Sequence, residues 1–230
     1  MVCASNMNRS MDAHNLLKAE GLDVESYGVG TQGTLRDEKP NPPGHHQRGP
    51  FARSRAPGAD SRGTPFPSPF PPSRAAVKIP GPSAREPNVY PFGTPYHEIY
   101  NELKSKDQAL YERNGMLRLL ERNLKVKLAP ERWQENTTKF FDVVLTFDDV
   151  VFDKLMEDVR GREQKQMKSF LVVNLKVKDT PTEAGKASPL ALQLCRKIQE
   201  SEDWEDDIEE IVEDFSAETG RTPFYTVCFY

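Results

Sequence analysis

A cysteine and an arginine stand six positions apart near the start of this 230-residue sequence, at Cys3 and Arg9. The residues between them are small or polar except Met7, and an amphipathic segment follows. A thiolate is a strong nucleophile, and the planar guanidinium of arginine can hold two oxygens of a phosphoryl group at once. Successive backbone amides at a helix N-terminus add an anion-binding nest. This spacing therefore predicts a loop that binds and attacks a phosphoryl group.

Each remaining loop residue has an expected place in that chemistry. Ser10 is expected to hydrogen-bond the departing Cys3 thiolate, and Asn6 and Asn8 are expected to brace the loop through their side-chain amides. The predicted phosphate-binding loop comprises Ala4, Ser5, Asn6, Met7, Asn8 and Ser10. A leaving serine or threonine oxygen also needs a proton, and Asp179 is the expected donor and the later base for water. The plain alternative for an aspartate after a strand is a turn or cap residue.

Helical and strand patterns alternate along the sequence. The predicted helices cover 11–20, 96–104, 109–124, 148–159, 190–199 and 204–218. The predicted strands cover 24–29, 140–147, 169–177 and 224–229. Such alternation indicates a three-layer α/β fold, with a mostly parallel twisted sheet flanked by helices. Sites in these folds lie beyond the carboxyl ends of the strands, so the Cys3 loop should meet residues 146–148 and 177–179 at one edge.

Residues 33–76 differ from the rest of the chain in composition. Proline, arginine, serine and glycine dominate them, and no helical or strand period persists. A segment with so few apolar residues cannot bury enough surface to offset the entropy of ordering it. We therefore predict one domain formed by 1–32 and 77–230, interrupted by a disordered Pro/Arg-rich insertion at 33–76. A polyproline II ligand at 65–72 is the alternative for part of this segment.

The composition argues against several classes of function. The net charge of -4 gives no support for direct nucleic-acid binding, and no apolar run is long enough to cross a membrane. Three widely spaced cysteines favour a reducing compartment over a disulfide scaffold. The four histidines do not stand at metal-ligand spacing with cysteines. We therefore expect neither a metal nor a cofactor.

Several collinear stretches resemble one known family. They are 2–15, 77–82, 87–90, 114–115, 120–123, 130–132, 172–174, 220–222 and 226–230. Through them the sequence resembles the symplekin-associated phosphatases that act on the C-terminal domain of RNA polymerase II. The resemblance covers nearly all of 1–32 and 77–230. It implies a fold like that of the low-molecular-weight protein tyrosine phosphatases.

The resemblance also implies a reaction and its setting. The family removes phosphate from serine in Ser-Pro steps of the polymerase tail, chiefly the fifth-position phosphoserine of the heptad, with the following proline in its cis form. It implies a cysteinyl-phosphate intermediate and a part in transcription and mRNA 3′-end processing. It also implies a location in the nucleus, with the cytoplasm as an alternative second location. The implied partners are the phosphorylated polymerase tail, symplekin and the cleavage and polyadenylation machinery.

The family's site residues can be carried onto this sequence one by one. Cys3 matches the nucleophile, Arg9 the phosphate-binding arginine and Asp179 the general acid. The residues that fall in regions resembling the peptide groove are Lys78, Asn114, Met116 and Leu119.

The sequence departs from the family pattern in three places. The family has a full apolar strand before the cysteine, whereas only Met1 and Val2 precede it here. Residues 33–76 have no counterpart. Lys176 replaces an acidic residue, and the pair at 180–181, Thr-Pro, replaces Asn-His. We therefore expect a variant with a shortened first strand, which should cost ladder bonds in the middle of the sheet.

Two alternatives remain beside the serine phosphatase. The chain could be a catalytically impaired module that binds phosphopeptide or symplekin. It could also perform tyrosine phosphatase or arsenate reductase chemistry on the same fold. Those relatives usually have glycine in the loop, which 4–8 lacks, and the tyrosine enzymes an Asp-Pro acid motif. Here Thr180 separates Asp179 from Pro181, which favours a proline-directed groove.

Overall fold

The computed structural model describes residues 1–30, 76–83, 85–163 and 166–230. The strands are β1 (Val2–Cys3), β2 (Tyr27–Gly28), β3 (Ala76–Ser83), β4 (Glu86–Pro91), β5 (Val143–Thr146), β6 (Ser169–Asn174) and β7 (Phe224–Phe229). The helices are α1 (Arg9–Ala19), α2 (Tyr96–Arg113), α3 (Met116–Val126), α4 (Asp149–Gly161), α5 (Pro181–Glu200) and α6 (Trp204–Thr219), with a short 3-10 helix at Trp133–Glu135.

Five of these strands form the main sheet, in the order β2-β1-β5-β6-β7. The first four are parallel, and β7 runs antiparallel to β6. Val2 of β1 pairs with Tyr27 on one side and with Thr146 on the other, so the two-residue strand lies inside the sheet. The predicted mostly parallel α/β architecture is confirmed.

Alternation along the strands produces the three layers. Leu145, Leu171 and Val173 face a core that also contains residues of α1, α5 and α6. Their sequence neighbours face the opposite core, with Trp133 and residues of α4; they are Val144, Phe170 and Val172. Because successive strand side chains point to opposite faces, an apolar run such as 170–173 covers both faces of the sheet.

A third apolar cluster lies against the loop that follows Cys3. The antiparallel hairpin β3–β4 and the helices α2 and α3 contribute most of its residues. Met7 of the loop and Met11 of α1 complete it. The loop is therefore packed between the main sheet and this third apolar cluster.

Several element boundaries differ from the sequence prediction. Helix α1 begins at Arg9 after Asn8, rather than after Ser10. Helix α5 begins at Pro181 and contains Pro189, whereas the prediction began it at 190. The hairpin β3–β4 was not predicted at all. Of the predicted insertion, Ala76 is the first residue of β3, and 33–75 lie outside the described residues.

Candidate active site

Cys3 ends β1, and the following loop leads directly into α1 at Arg9. The Cys3 side chain is buried, and its Sγ lies 3.0 Å from the hydroxyl oxygen of Ser10. Asn6 Nδ2 donates a hydrogen bond to the same oxygen at 3.1 Å. Either Cys3 or Ser10 can be the donor in their contact. With Cys3 as a thiolate, the Ser10 hydroxyl can donate to the sulfur while its oxygen accepts from Asn6, which would stabilise the thiolate.

The loop is held in a specific backbone conformation. Asn6 has a positive φ of 51° and is fully buried. Its Oδ1 accepts a hydrogen bond from the backbone N–H of Glu131 at 3.0 Å. Asparagine is one of the few residues that adopt this left-handed conformation at modest cost. Asn6 therefore turns the loop and fastens it to the segment before the 3-10 helix.

Arg9 contacts the two segments that follow β5 and β6. Its Nη1 donates to the carbonyl oxygens of Phe147 at 3.0 Å and Val177 at 2.8 Å. Its Nη2 lies 3.3 Å from Asp179 Oδ2. Its buried Nε has no hydrogen-bond partner among the described residues. The guanidinium is thus fixed by carbonyl and carboxylate oxygens at Nη1 and Nη2, while its buried Nε donor has no acceptor among the described residues.

Asp179 contacts the same loop from the segment that follows β6. Its Oδ1 accepts a hydrogen bond from Asn8 Nδ2 at 2.9 Å, and its side chain is half exposed. Thr180 follows as the N-cap of α5, accepting from the N–H of Glu183 at 3.2 Å, and Pro181 opens the helix. The Thr-Pro pair therefore has a local role: it starts α5 immediately after Asp179.

A second carboxylate contacts Arg9, and the sequence reasoning assigned it no role in the site. Asp148 Oδ2 lies 3.3 Å from Arg9 Nη1, and Asp148 Oδ1 caps α4 by accepting from Val150 N at 3.0 Å. Its position was foreseeable, because 146–148 was expected at the same edge as Cys3. Nearby, Lys176 forms an ion pair with Asp149, which also accepts from Asn174 Nδ2 at 2.9 Å.

The structure distributes the remaining predicted residues around the loop. Ala4 accepts a backbone hydrogen bond from Gly30 at 2.9 Å. Ser5 Oγ lies 3.4 Å from the backbone nitrogen and 3.5 Å from the carbonyl oxygen of Lys78, so the loop and β3 are adjacent. Met7 is buried in the third apolar cluster.

The predicted groove residues of α3 are mostly enclosed. Met116 and Leu119 are only 9% and 7% exposed and belong to the same apolar cluster as Met7. Asn114 is exposed at the end of α2, and its Oδ1 accepts from the N–H of Met116 at 3.0 Å. Contact between a peptide and these three residues, or Lys78, stays a prediction.

Other kinds of site find little support in the described ranges. Among those residues, no group of three or more His, Cys, Asp or Glu side chains could hold a metal ion. No helix there is long and apolar enough to span a membrane. The candidate site is the loop after Cys3, where Arg9 contacts the carboxylates of Asp148 and Asp179.

A family model described as Ssu72-like protein matches residues 1–49 and 72–230. The chain belongs to the Ssu72 family. It is 37% identical over 230 residues to the RNA polymerase II C-terminal domain phosphatase SSU72 of Mus musculus and of Homo sapiens. Each alignment covers 100% of this chain and 95% of the relative. The residues that the Ssu72 family model leaves unmatched, 50–71, lie inside the predicted insertion.

Solved Ssu72 structures are also similar. One is Drosophila melanogaster Ssu72 with Symplekin, bound to a cis peptidomimetic CTD phospho-Ser5 peptide, at 29% identity and a TM-score of 0.77. It covers 100% of this chain and 96% of the other. A second Drosophila structure, of the serine phosphatase of RNA polymerase II CTD, has 30% identity and a TM-score of 0.78, covering 100% and 97%.

Proposed function

We propose that this chain is a cysteine-dependent protein serine phosphatase that acts on phosphoserine before proline in the RNA polymerase II C-terminal domain. The observation that carries the proposal is the position of Arg9. It lies at the start of the helix that follows the Cys3 loop, and its Nη2 contacts Asp179. Its Nε has no hydrogen-bond partner among the described residues. Cysteine, guanidinium and carboxylate are thereby gathered at one edge of the sheet.

The first chemical step transfers the phosphoryl group to Cys3. The thiolate attacks phosphorus, the S–P bond forms, and the bond from phosphorus to the serine oxygen breaks. Asp179 gives its proton to that oxygen, so serine leaves as the alcohol. Arg9 holds two of the remaining phosphoryl oxygens through its fork, and the loop amides bind the developing charge. A bound phosphoryl group would compete with Asp179 for Arg9 Nη2.

The second step returns the enzyme to its starting state. Asp179, now a carboxylate, removes a proton from water, and the resulting oxygen attacks the phosphocysteine. The S–P bond breaks, inorganic phosphate forms, and Cys3 leaves as a thiolate. Ser10, whose oxygen already accepts from Asn6, stabilises that thiolate with its proton.

The relatives support the substrate and the partner. The similar Drosophila Ssu72 structure contains a cis peptidomimetic phospho-Ser5 peptide together with Symplekin. We therefore assign the same class of substrate, a phosphoserine followed by a cis proline, and symplekin as a partner of this chain. A substrate on the polymerase tail assigns the chain to the nucleus.

Phosphate release from a phosphoserine-proline heptad peptide tests this function. The wild-type chain should release phosphate, and Cys3→Ser should release none above background, since a hydroxyl at that position is a poor nucleophile. Cys195→Ser is the matched control. Burial raises the pKa of the Cys195 thiol to about 11, and this residue lies on α5, outside the loop. Equal release by wild type and Cys3→Ser would refute the catalytic proposal, and binding without release would favour a phosphopeptide-binding module.

A further inference from the structure

Side chains from α2 and α3 bind three consecutive carbonyl groups of the loop. The side of the loop on which these helices lie is called its outer side. The hydroxyl of Tyr96 donates to the carbonyl oxygen of Asn6 at 2.6 Å. Asn123 Nδ2 donates to the carbonyl oxygen of Met7 at 2.9 Å. Arg122 Nη2 donates to the oxygens of residues 7 and 8 at 3.0 and 3.2 Å. All three donors lie at least 90 residues away in sequence.

These contacts, together with the bond of 2.8 Å from the backbone N–H of Asp12 to the Asn8 carbonyl, hold the loop amides in one orientation. In a trans peptide the carbonyl oxygen of one residue and the N–H of the next point in opposite directions. Fixing the oxygens of residues 6, 7 and 8 on the outer side therefore directs the N–H groups of Met7, Asn8 and Arg9 toward the inner side. These are the amides that an anion nest requires.

Arg122 is itself held firmly. Its Nη1 forms an ion pair with Asp12 of α1, and its Nε donates to Asn123 Oδ1 at 3.1 Å. Asp12 Oδ2 in turn accepts from Ser188 Oγ of α5 at 2.7 Å. Burial lowers the pKa of Arg122 while Asp12 opposes that shift, and a guanidinium so paired stays charged at neutral pH. A fixed positive charge therefore contacts the loop at the carbonyl oxygens of Met7 and Asn8.

We infer that Arg122 is a positioning residue, whose fork holds the carbonyls of Met7 and Asn8 outward so that the loop amides converge on the phosphoryl group. The inference rests on the proposed phosphatase function. Arginine suits the role because one Nη2 reaches both oxygens while Nη1 holds Asp12. A lysine carries the same charge on a single nitrogen and cannot make these contacts together.

Arg122→Lys is the variant that separates position from charge. We expect its kcat/KM on the phosphopeptide to fall about 10- to 100-fold, the range typical when groups that orient a reactive site are lost. Its Kd for inorganic phosphate, followed through the amide resonances of Asn8 and Arg9, should rise about tenfold. Arg118→Lys, exposed on the same helix, is the matched control and should change neither value.

A second variant guards against an effect of misfolding. Tyr96→Phe removes only the hydroxyl that holds the Asn6 carbonyl, so it should weaken phosphate binding about threefold with the fold retained. Unchanged phosphate affinity in both variants would overturn the inference. So would a loss of phosphate binding no larger than the unfolded fraction of each variant, measured by circular dichroism. Phosphate binding needs no turnover, so a wild-type chain that binds phosphate but hydrolyses no phosphopeptide would refute the proposed function alone.

Discussion

Arg9 is the residue on which the charges of the site converge. Its guanidinium touches the carboxylates of Asp148 and Asp179 and two strand-end carbonyls, and only 4% of its side chain is exposed. A buried cation is stable only when such acceptors surround it. The same acceptors fix the orientation of the fork before any phosphoryl group arrives. Preorganisation of this kind removes an entropic cost from phosphate binding.

His14 is another buried polar residue of α1, with a structural role. Its Nδ1 lies 2.9 Å from Ser26 Oγ, and Ser26 Oγ lies 3.1 Å from Met11 Sδ. Its Nε2 has no partner within the described residues. Burial lowers the pKa of His14 to about 4, because a proton on this ring would introduce a charge into a closed space.

The His14 pKa predicts how stability depends on pH. A histidine with a folded-state pKa of about 4 and an unfolded value near 6.5 contributes its full stability above pH 6.5. That contribution is lost as the pH falls toward 4. Between pH 7 and pH 5 the loss is about 2 kcal/mol of unfolding free energy. Urea titrations at pH 7 and pH 5 should show that the free energy of unfolding depends less on pH in His14→Gln than in the wild type. Parallel curves would contradict the assignment.

At the scale of elements, the two-residue strand β2 supports the loop through a close backbone approach. A Cβ added to Gly28 would lie 2.8 Å from the nitrogen of Asn6 and 3.0 Å from the carbonyl oxygen of Ala4. Both neighbours are backbone atoms, which cannot rotate away. The glycine is therefore required for β2 to lie against the loop.

Gly28→Ala should displace the loop and impair catalysis. We expect kcat/KM on the phosphopeptide to fall at least about tenfold, because displacements of about 1 Å at a reactive centre have effects of that size or larger. Gly185→Ala is the control. Nothing lies within 4 Å of its added Cβ in α5, so activity should be retained and the helix slightly stabilised. A Gly28→Ala variant with wild-type kcat/KM would show that the loop tolerates the displacement.

Element type was predictable where the apolar pattern is strong, and not where it is broken. The continuous apolar run 170–173 predicted β6, and the helical pattern of 204–218 predicted α6. Strand β3 alternates only over Val77, Lys78 and Ile79 before it reaches Pro80, Gly81 and Pro82, which is too short a pattern to predict a strand. Its first half packs in the third apolar cluster. The first half of α5 was missed because Gly185 and Pro189 normally argue against helix.

The place of the site was predictable from the sequence for a different reason. Loops that follow parallel strands meet at the carboxyl edge of a sheet, so the loop with Cys3 and Arg9 was expected beside Asp179, and Arg9 does contact Asp179. The chemical roles of the three residues stay predictions. Arg122 could not be found in this way, because its contact with the loop bridges more than a hundred residues and a helix whose orientation the sequence does not specify. Such side chains are recognised only once the helices are placed.

At the scale of the whole molecule, three separate stretches of chain meet at one sheet edge. Strand β1 ends at Cys3, the segment after β5 supplies a carboxylate to Arg9, and the segment after β6 contains Asp179, which also contacts Arg9. Cys3 and Asp179 are remote in sequence, yet both loops follow parallel strands of the same sheet. Covalent chemistry at Cys3 should therefore depend on the assembled fold.

Rapid-quench trapping of the phosphoryl group tests that chemistry most directly. Wild-type chain mixed with the phosphoserine-proline peptide and quenched in acid within milliseconds should carry one phosphoryl group, located by mass spectrometry on the peptide that contains Cys3. The label should disappear on longer incubation as phosphate is released, and Cys3→Ser should never acquire it. Phosphate release by the wild type with no label on Cys3 at any time would contradict a cysteinyl-phosphate mechanism.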